Sequence, residues 1–169
     1  MLKVALIINQ RASLQEFLNF FEENKNKIEK LAAQKLKITY ILNNSAEAEK
    51  EGLSLVEFED VEYTDDYNRI LDDPELDIIL ELCRNNESSA YLLQALKNKK
   101  NVITTNLSVI TENYLEIKEM EKKFQSRVFF AAAFSPLPLE ALIAHLYALD
   151  DLKELNAVLN ATTNYILSE

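Results

Sequence analysis

Glycine is nearly absent from this chain of 169 residues, which contains only Gly52. Average usage of about 7% would give roughly a dozen glycines. Glycine lets the backbone adopt positive φ and lets a ligand approach the backbone closely. Composition therefore leaves almost no place for a glycine-rich phosphate loop, and no P-loop, Gly-x-Ser-x-Gly or His-Glu-x-x-His motif occurs in the sequence.

Cysteine, histidine and long apolar runs are also scarce. The single cysteine, Cys83, excludes an internal disulfide, and with His145 as the only histidine it argues against a structural zinc site. The longest apolar run lies near Val128 to Phe134, far below the roughly 20 residues of a membrane span. The first residues lack the pattern of a signal peptide, so we expect a cytoplasmic protein.

Basic residues are outnumbered, with 18 Lys and Arg against 28 Asp and Glu and a formal net charge of −10. Nucleic acids and anionic membranes both need a basic face on their partner, so we expect neither as a partner. The same charge disfavours loose capture of an anionic dinucleotide, although local fields can override net charge.

What is present is an alternation of apolar runs with helical patterns, all within residues 1–169, which we interpret as one domain. The predicted strands are Leu2–Ile8, Leu36–Leu42, Leu76–Leu82, Asn101–Thr105, Val128–Ala133 and Leu152–Leu159. The predicted helices start at a Ser13/Glu16 capping box, at a Thr64 cap followed by Asp65 and Asp66, at Ala90, at Thr111 and at Pro138. This order predicts an α/β fold with a doubly wound, mostly parallel sheet and helices on both faces.

Spacing also predicts which side chains are buried. The first helix should bury Leu14, Phe17, Leu18, Phe21, Ile28, Leu31 and Ala32, with Phe20 off this stripe. The helix from Thr111 should bury Ile110, Tyr114, Ile117, Met120 and Phe124. Residues 44–62 are acidic and poorly periodic, so we interpret them as a surface excursion.

Three stretches resemble the homoserine dehydrogenase family. Residues 159–167 read Leu-Asn-Ala-Thr-Thr-Asn-Tyr-Ile-Leu, similar to the family's LNGTTNYIL at the passage from cofactor domain to substrate domain. Residues 72–82 are similar to the family's third strand and its lead-in, and residues 102–106 to its V-V-T-A-N. The resemblance implies a Rossmann-like NAD(P)-binding domain of an oxidoreductase of amino-acid biosynthesis, with residues from about 150 to 169 matching the start of the substrate domain.

Departures from the family occur in the first loop, where the resemblance implies Gly-x-Gly-x-x-Gly. Ile8, Gln10 and Ser13 stand at the three glycine positions. We expect the Gln10 and Arg11 side chains to occupy the pyrophosphate space, and the capping box to satisfy the helix amides that a phosphate would bind. In the alternative interpretation, Arg11 at the helix start forms a new anion site.

Further departures affect the other family positions. Asn43 and Asn44 stand where an acidic residue or an arginine would contact the ribose, and we interpret them as turn formers. Leu107 replaces a lysine near the family's reacting centre, and Phe130 replaces a glutamate. Ser135 and Pro136 replace the Gly-Gly pair that follows this glutamate, whereas Pro138 matches the family.

The remaining candidates for chemistry have simpler explanations. We interpret Cys83 as a packed thiol and His145 as a helix-packing or surface residue, and the acidic runs 57–60 and 65–66 as solvated. No residue is assigned as catalytic or as a metal ligand. The vestigial cofactor-binding positions are Asn9, Gln10, Arg11, Thr105 and Asn106.

Three hypotheses on function follow. In the first, the chain is a homoserine dehydrogenase-like pseudoenzyme that binds no cofactor and acts through a protein partner or as a homo-oligomer, using the apolar residues 165–167. In the second, it is a fragment or subunit of a working NAD(P)-dependent homoserine dehydrogenase. In the third, the crevice senses another small molecule, lined by residues at the strand ends that include Cys83, Arg84 and Asn85.

Overall fold

A computed structural model describes residues 1–8, 11–42, 60–83, 88–130 and Glu154, without the side chains of residues 11, 12 and 88. The chain divides into two compact units, Met1–Pro136 and Leu137–Glu169. All described helices and strands belong to the first unit, and the one described residue of the second, Glu154, is exposed. The prediction of one domain over residues 1–169 stays a prediction.

Within the described residues, six strands form one sheet in which all five pairings are parallel, in the order β3-β2-β1-β4-β5-β6. The strands are β1 (Leu2–Ile7), β2 (Leu36–Leu42), β3 (Glu62–Thr64), β4 (Ile78–Glu81), β5 (Asn101–Thr104) and β6 (Val128–Phe129). The helices are α1 (Arg11–Ala32), α2 (Tyr67–Leu71), α3 (Ser88–Lys97) and α4 (Leu107–Phe124). This is the doubly wound Rossmann order, which confirms the predicted fold class.

The core lies on both faces of the sheet. On one face, α1 buries Leu14, Leu18 and Phe21 against the strands. On the other face, α2, α3 and α4 bury a larger cluster that includes Ile70, Leu92, Leu96, Val109 and Ile117. Among the described residues, no helix combines the length and the hydropathy needed to cross a bilayer.

Several predicted boundaries are wrong. Glu62, assigned to the surface excursion, and Thr64, assigned as a helix cap, belong to the edge strand β3. The cap of the following helix is Asp66, whose side chain accepts the amide of Asn68 at 2.9 Å, so neither Asp65 nor Asp66 lies in its first turn. Of the predicted strand Val128–Ala133, Val128 and Phe129 pair with β5 and Phe130 lies outside the strand, whereas residues 131–133 lie outside the described residues.

Three helices start earlier than the sequence predicts, and of these α3 begins at Ser88, two residues before the predicted Ala90. Helix α1 begins at Arg11, so Ser13 lies inside its first turn and the predicted Ser13/Glu16 capping box is wrong. Helix α4 begins at Leu107 because Asn106 caps it, accepting the amide of Val109 at 3.3 Å. The predicted start at Thr111 is therefore four residues too late.

The burial predictions hold in part. The buried members of the two predicted stripes are Leu14, Leu18, Phe21, Ile110 and Ile117, and the half-buried ones are Phe17, Ile28, Met120 and Phe124. Phe20 is 58% exposed, as expected for a residue off the α1 stripe. Leu31, Ala32 and Tyr114 are exposed, which contradicts their assignment to the core. The predictions for Asn43, Asn44, the strand Leu152–Leu159, the helix from Pro138 and the nonamer 159–167 lie outside the described residues, apart from Glu154.

The scarcity of glycine has a consequence at the helix ends. Helices α1 and α3 end in Schellman motifs whose left-handed positions are held by Ala33 (φ 52°) and Lys99 (φ 58°). The paired bonds of the motif are present: Gln34 N donates to Glu29 O at 3.2 Å and Ala33 N to Lys30 O at 3.4 Å. Glycine usually occupies this position because it has no Cβ to oppose positive φ.

Ala33→Gly should therefore stabilise the protein, by about 1 kcal/mol, since left-handed backbone costs roughly that much for a residue with a Cβ. Chemical denaturation would measure the free energy of unfolding. Ala90→Gly, at an exposed position inside α3, is the matched control and should destabilise by about 0.5–1 kcal/mol. Destabilisation by both variants would contradict the assignment of Ala33.

Lys100 is a buried cation, 6% exposed, that ties the turn before β4 to the start of β5. Its Nζ donates to the carbonyl oxygens of Asp73 and, at 3.2 Å, of Leu76. Burial lowers the pKa of this ammonium, and the carboxylates of Asp73 and Asp77 partly oppose the change.

Lys100→Met should destabilise the protein by about 1–3 kcal/mol, because two carbonyl oxygens lose their donor in a buried place. The measurement is again the free energy of unfolding. Lys97→Met, on the exposed last turn of α3, should change it by less than about 0.5 kcal/mol. Equal effects of the two substitutions would show that the Lys100 bonds contribute nothing.

Candidate functional site

The order of the strands reverses at β1, which pairs with β2 on one side and β4 on the other. In open α/β sheets, ligands bind outside the carboxyl ends of the strands at this switch point. In this chain the carboxyl ends are formed by Ile7 of β1, Glu81 of β4 and Thr104 of β5. The residues that follow these three strands define the candidate site, which we call the crevice.

Backbone bonds continue past the strand ends and hold the floor of the crevice together. Leu82 N donates to Ile7 O at 2.9 Å, and Thr105 N donates to Glu81 O at 3.3 Å. The Cys83 thiol lies 3.7 Å from Ile7 O and is 4% exposed, so it packs under the crevice, in line with its interpretation as a packed thiol.

A buried carboxylate lies below this floor. Glu81 is 1% exposed, and both of its carboxylate oxygens accept hydrogen bonds, from Cys83 N at 2.8 Å and from the Thr104 hydroxyl. Thr104 is fully buried, and its oxygen also accepts Asn106 N at 3.0 Å. We call these three side chains, Glu81, Thr104 and Asn106, the polar network.

The Tyr67 phenol packs near this network and stays neutral. Its hydroxyl donates to Tyr91 O at 2.8 Å, and its ring meets the Tyr91 ring edge-on at 4.7 Å. Burial raises the pKa of Tyr67 far above its ordinary value, and the neighbouring Tyr91 and Glu81 raise it further. A phenol in this state serves as a donor and not as a base.

The start of α1 differs from the predicted closed helix end. Its first turn carries no acidic residue, and Ile8 is 3% exposed and packs in the core cluster with Leu14 and Leu18. The side chain at the first glycine position is therefore in the core and not in the crevice. Asn9 and Gln10 lie outside the described residues, as does the Arg11 side chain, so their assignment as cofactor-binding positions stays a prediction.

The start of α4 forms the opposite wall. Leu107 is the first residue of the helix and is 40% exposed. Phe130, after β6, is 8% exposed and meets the Tyr114 ring edge-on at 6.5 Å. At the two positions where the resemblance implies a lysine and a glutamate, this chain thus places apolar side chains.

The structure brings together some of the predicted crevice residues. Cys83, Thr105 and Asn106 meet at the strand ends, with Thr105 exposed and Asn106 buried as the α4 cap. Arg84, Asn85 and His145 lie outside the described residues. In the part of the chain that the structure describes, no group of three His, Cys, Asp or Glu could hold a metal ion.

Sequence reasoning missed Glu81 and Thr104. Both were assigned only to strands, because each lies within a predicted strand. The available signal was a glutamate inside a run otherwise made of Ile and Leu, since a buried carboxylate requires hydrogen-bond partners. Its partner is 23 residues away along the chain, so no local pattern identifies it.

Comparison with known proteins finds the same fold in solved structures and identifies the family of this chain. Residues 15–131 match the family model described as homoserine dehydrogenase, NAD binding domain. The chain is 25% identical over 150 residues to homoserine dehydrogenase of Lactococcus lactis, covering 87% of this chain and 34% of that protein. Curated relatives are covered over only 24% to 35% of their length.

Solved structures agree with this result. Homoserine dehydrogenase of S. aureus superposes with a TM-score of 0.63 at 27% identity, covering 78% of this chain and 32% of that one. The enzyme from Thiobacillus denitrificans gives a TM-score of 0.65 at 24% identity, over 88% of this chain and 33% of that one, which shows the fold alone. The chain belongs to the homoserine dehydrogenase family and corresponds to its NAD-binding domain.

Proposed function

We propose that this chain is a homoserine dehydrogenase-like pseudoenzyme, a domain that keeps the fold of the family without hydride transfer and acts by binding a partner. The observation that carries the proposal is Leu107, a half-exposed leucine at the crevice wall where the resemblance implies a lysine. A leucine has no proton to donate or accept. General acid–base groups contribute about 10²–10⁴-fold to a reaction rate, so this substitution alone removes most of such a contribution.

Changes in the first loop support the proposal, because we expect them to weaken dinucleotide binding. The three family glycines provide a tight turn, close approach to the pyrophosphate and close packing of the helix on the sheet. Here the first position is a core isoleucine, Ile8, and the third is Ser13, inside the first turn of α1. The net charge of −10 adds a general repulsion towards an anionic ligand.

One alternative has a specific observation in its favour: the chain is the dinucleotide-binding part of a working NAD(P)-dependent homoserine dehydrogenase. The start of α1 carries no acid in its first turn and no Ser13/Glu16 box. A helix start of this kind favours a phosphate through its amides and its dipole. The match covers only 34% and 35% of two of the relatives, so a working enzyme also needs the part of the family's length that these residues do not match.

Titration with NAD⁺, NADH, NADP⁺ and NADPH separates the two functions. For a pseudoenzyme we expect every dissociation constant to exceed about 100 μM, which corresponds to roughly −5.5 kcal/mol. Calorimetry or a melting shift would measure it. Tighter binding of any one dinucleotide would overturn the loss of cofactor binding and favour the alternative.

A second measurement tests catalysis apart from binding. Leu107→Lys restores the family residue type at the crevice wall, with Leu115→Lys, at an exposed position further along α4, as the matched control. We expect no oxidation of homoserine by the parent chain with saturating NAD⁺ or NADP⁺. Turnover by the parent chain alone would overturn the pseudoenzyme proposal, whereas turnover only in Leu107→Lys would identify the lost lysine as its cause.

A further inference from the structure

The polar network connects the end of β4 to the start of α4. Glu81 and Thr104 are paired across the parallel strands β4 and β5, so their side chains lie on the same face of the sheet. The Thr104 hydroxyl donates to Glu81, and its oxygen accepts the amide of Asn106. The Asn106 side chain then accepts the amide of Val109 in the first turn of α4.

Each hydrogen bond along this path constrains the geometry of the next one. A hydroxyl that accepts Asn106 N has its own hydrogen free to donate, and the Glu81 carboxylate fixes where that hydrogen points. The second carboxylate oxygen is held by Cys83 N at 2.8 Å, from the segment that follows β4. The Glu81 carboxylate therefore fixes the positions of two backbone segments, the one that follows β4 and the one that follows β5.

Because the polar network is buried, its hydrogen bonds allow few alternative arrangements. Glu81, Thr104 and Asn106 are 1%, 0% and 7% exposed, so water cannot readily replace a lost partner. A buried polar group without its partner costs far more than an exposed one, and a fully satisfied network selects a single arrangement.

We infer that Glu81 is a positioning residue, which places the Thr105–Asn106 turn and the first turn of α4 at the crevice. Through Thr104 it orients the Asn106 cap and therefore the place where Leu107 forms the crevice wall. Because this wall is already ordered in the free protein, little conformational entropy is lost when a ligand binds. This favours affinity for any ligand of the crevice. The inference needs no particular ligand and does not depend on the function proposed above.

Amide hydrogen exchange tests the inference at single residues. The variants are Glu81→Gln, which keeps the shape of the side chain, and Thr104→Val, which removes both the donor and the acceptor. We expect the amides of Asn106 and Val109 to exchange at least about tenfold faster in both variants, relative to the amide of Val102 in the core of β5. Their amide chemical shifts should move as well, because the hydrogen bonds change.

Two further variants separate positioning from loss of packing. Thr104→Ser keeps the hydroxyl and should restore parent exchange at Asn106 and Val109. Ile79→Val, on the same strand and face as Glu81 and 1% exposed, removes only a methyl group and should speed exchange evenly. If Thr104→Ser fails to restore the two amides, or if Ile79→Val loosens them as selectively as Thr104→Val does, Glu81 has no positioning role.

Discussion

The fold depends on the burial of β1 between two parallel neighbours and two layers of helix. Ala5 and Ile7 belong to the core cluster under α2, α3 and α4, whereas Leu6 and Ile8 belong to the cluster under α1. Each face of β1 must therefore be buried by a separate layer of helices. The crossover helices that join parallel strands form these two layers. The reversal of strand order at β1 follows from this arrangement, and with it the crevice at the carboxyl ends.

The sequence predicted those elements whose information is local. Leu2–Ile8 is an apolar run broken only by Lys3, which is typical of a strand buried on both faces, and Leu36–Leu42 is rich in residues that favour strands. The predicted bounds of both strands agree with the structure to within one residue. Strand β3 was missed because Glu62, Tyr63 and Thr64 form a short edge strand with no apolar run. Its pairing with Tyr40, Ile41 and Leu42 is a tertiary fact that a window of sequence does not contain.

Helix starts and the candidate site were harder to predict, and for the same reason. A serine followed three residues later by a glutamate caps a helix only if the helix starts there, and here the helix already begins at Arg11. Asn106 caps α4 because Thr104 and Glu81 hold the preceding turn. These are contacts between distant parts of the chain, so the resemblance located the crevice while the residues that shape it became visible only in the fold.

The departures from the family affect two functions, cofactor binding and catalysis. These two functions need not be lost together. A change at Ile8 or Ser13 alters how a phosphate meets the start of α1, which is a matter of ground-state binding. Under the proposed function, the leucine at position 107 removes a group that would act near the reacting centre, and this change would affect the rate without preventing binding. Because the Ile8 side chain packs in the core and not in the crevice, its effect on a dinucleotide would come through the backbone turn and not from a side chain that fills the pyrophosphate space. In the proposed pseudoenzyme, the loss of hydride transfer through Leu107 is therefore independent of how the first loop meets a phosphate.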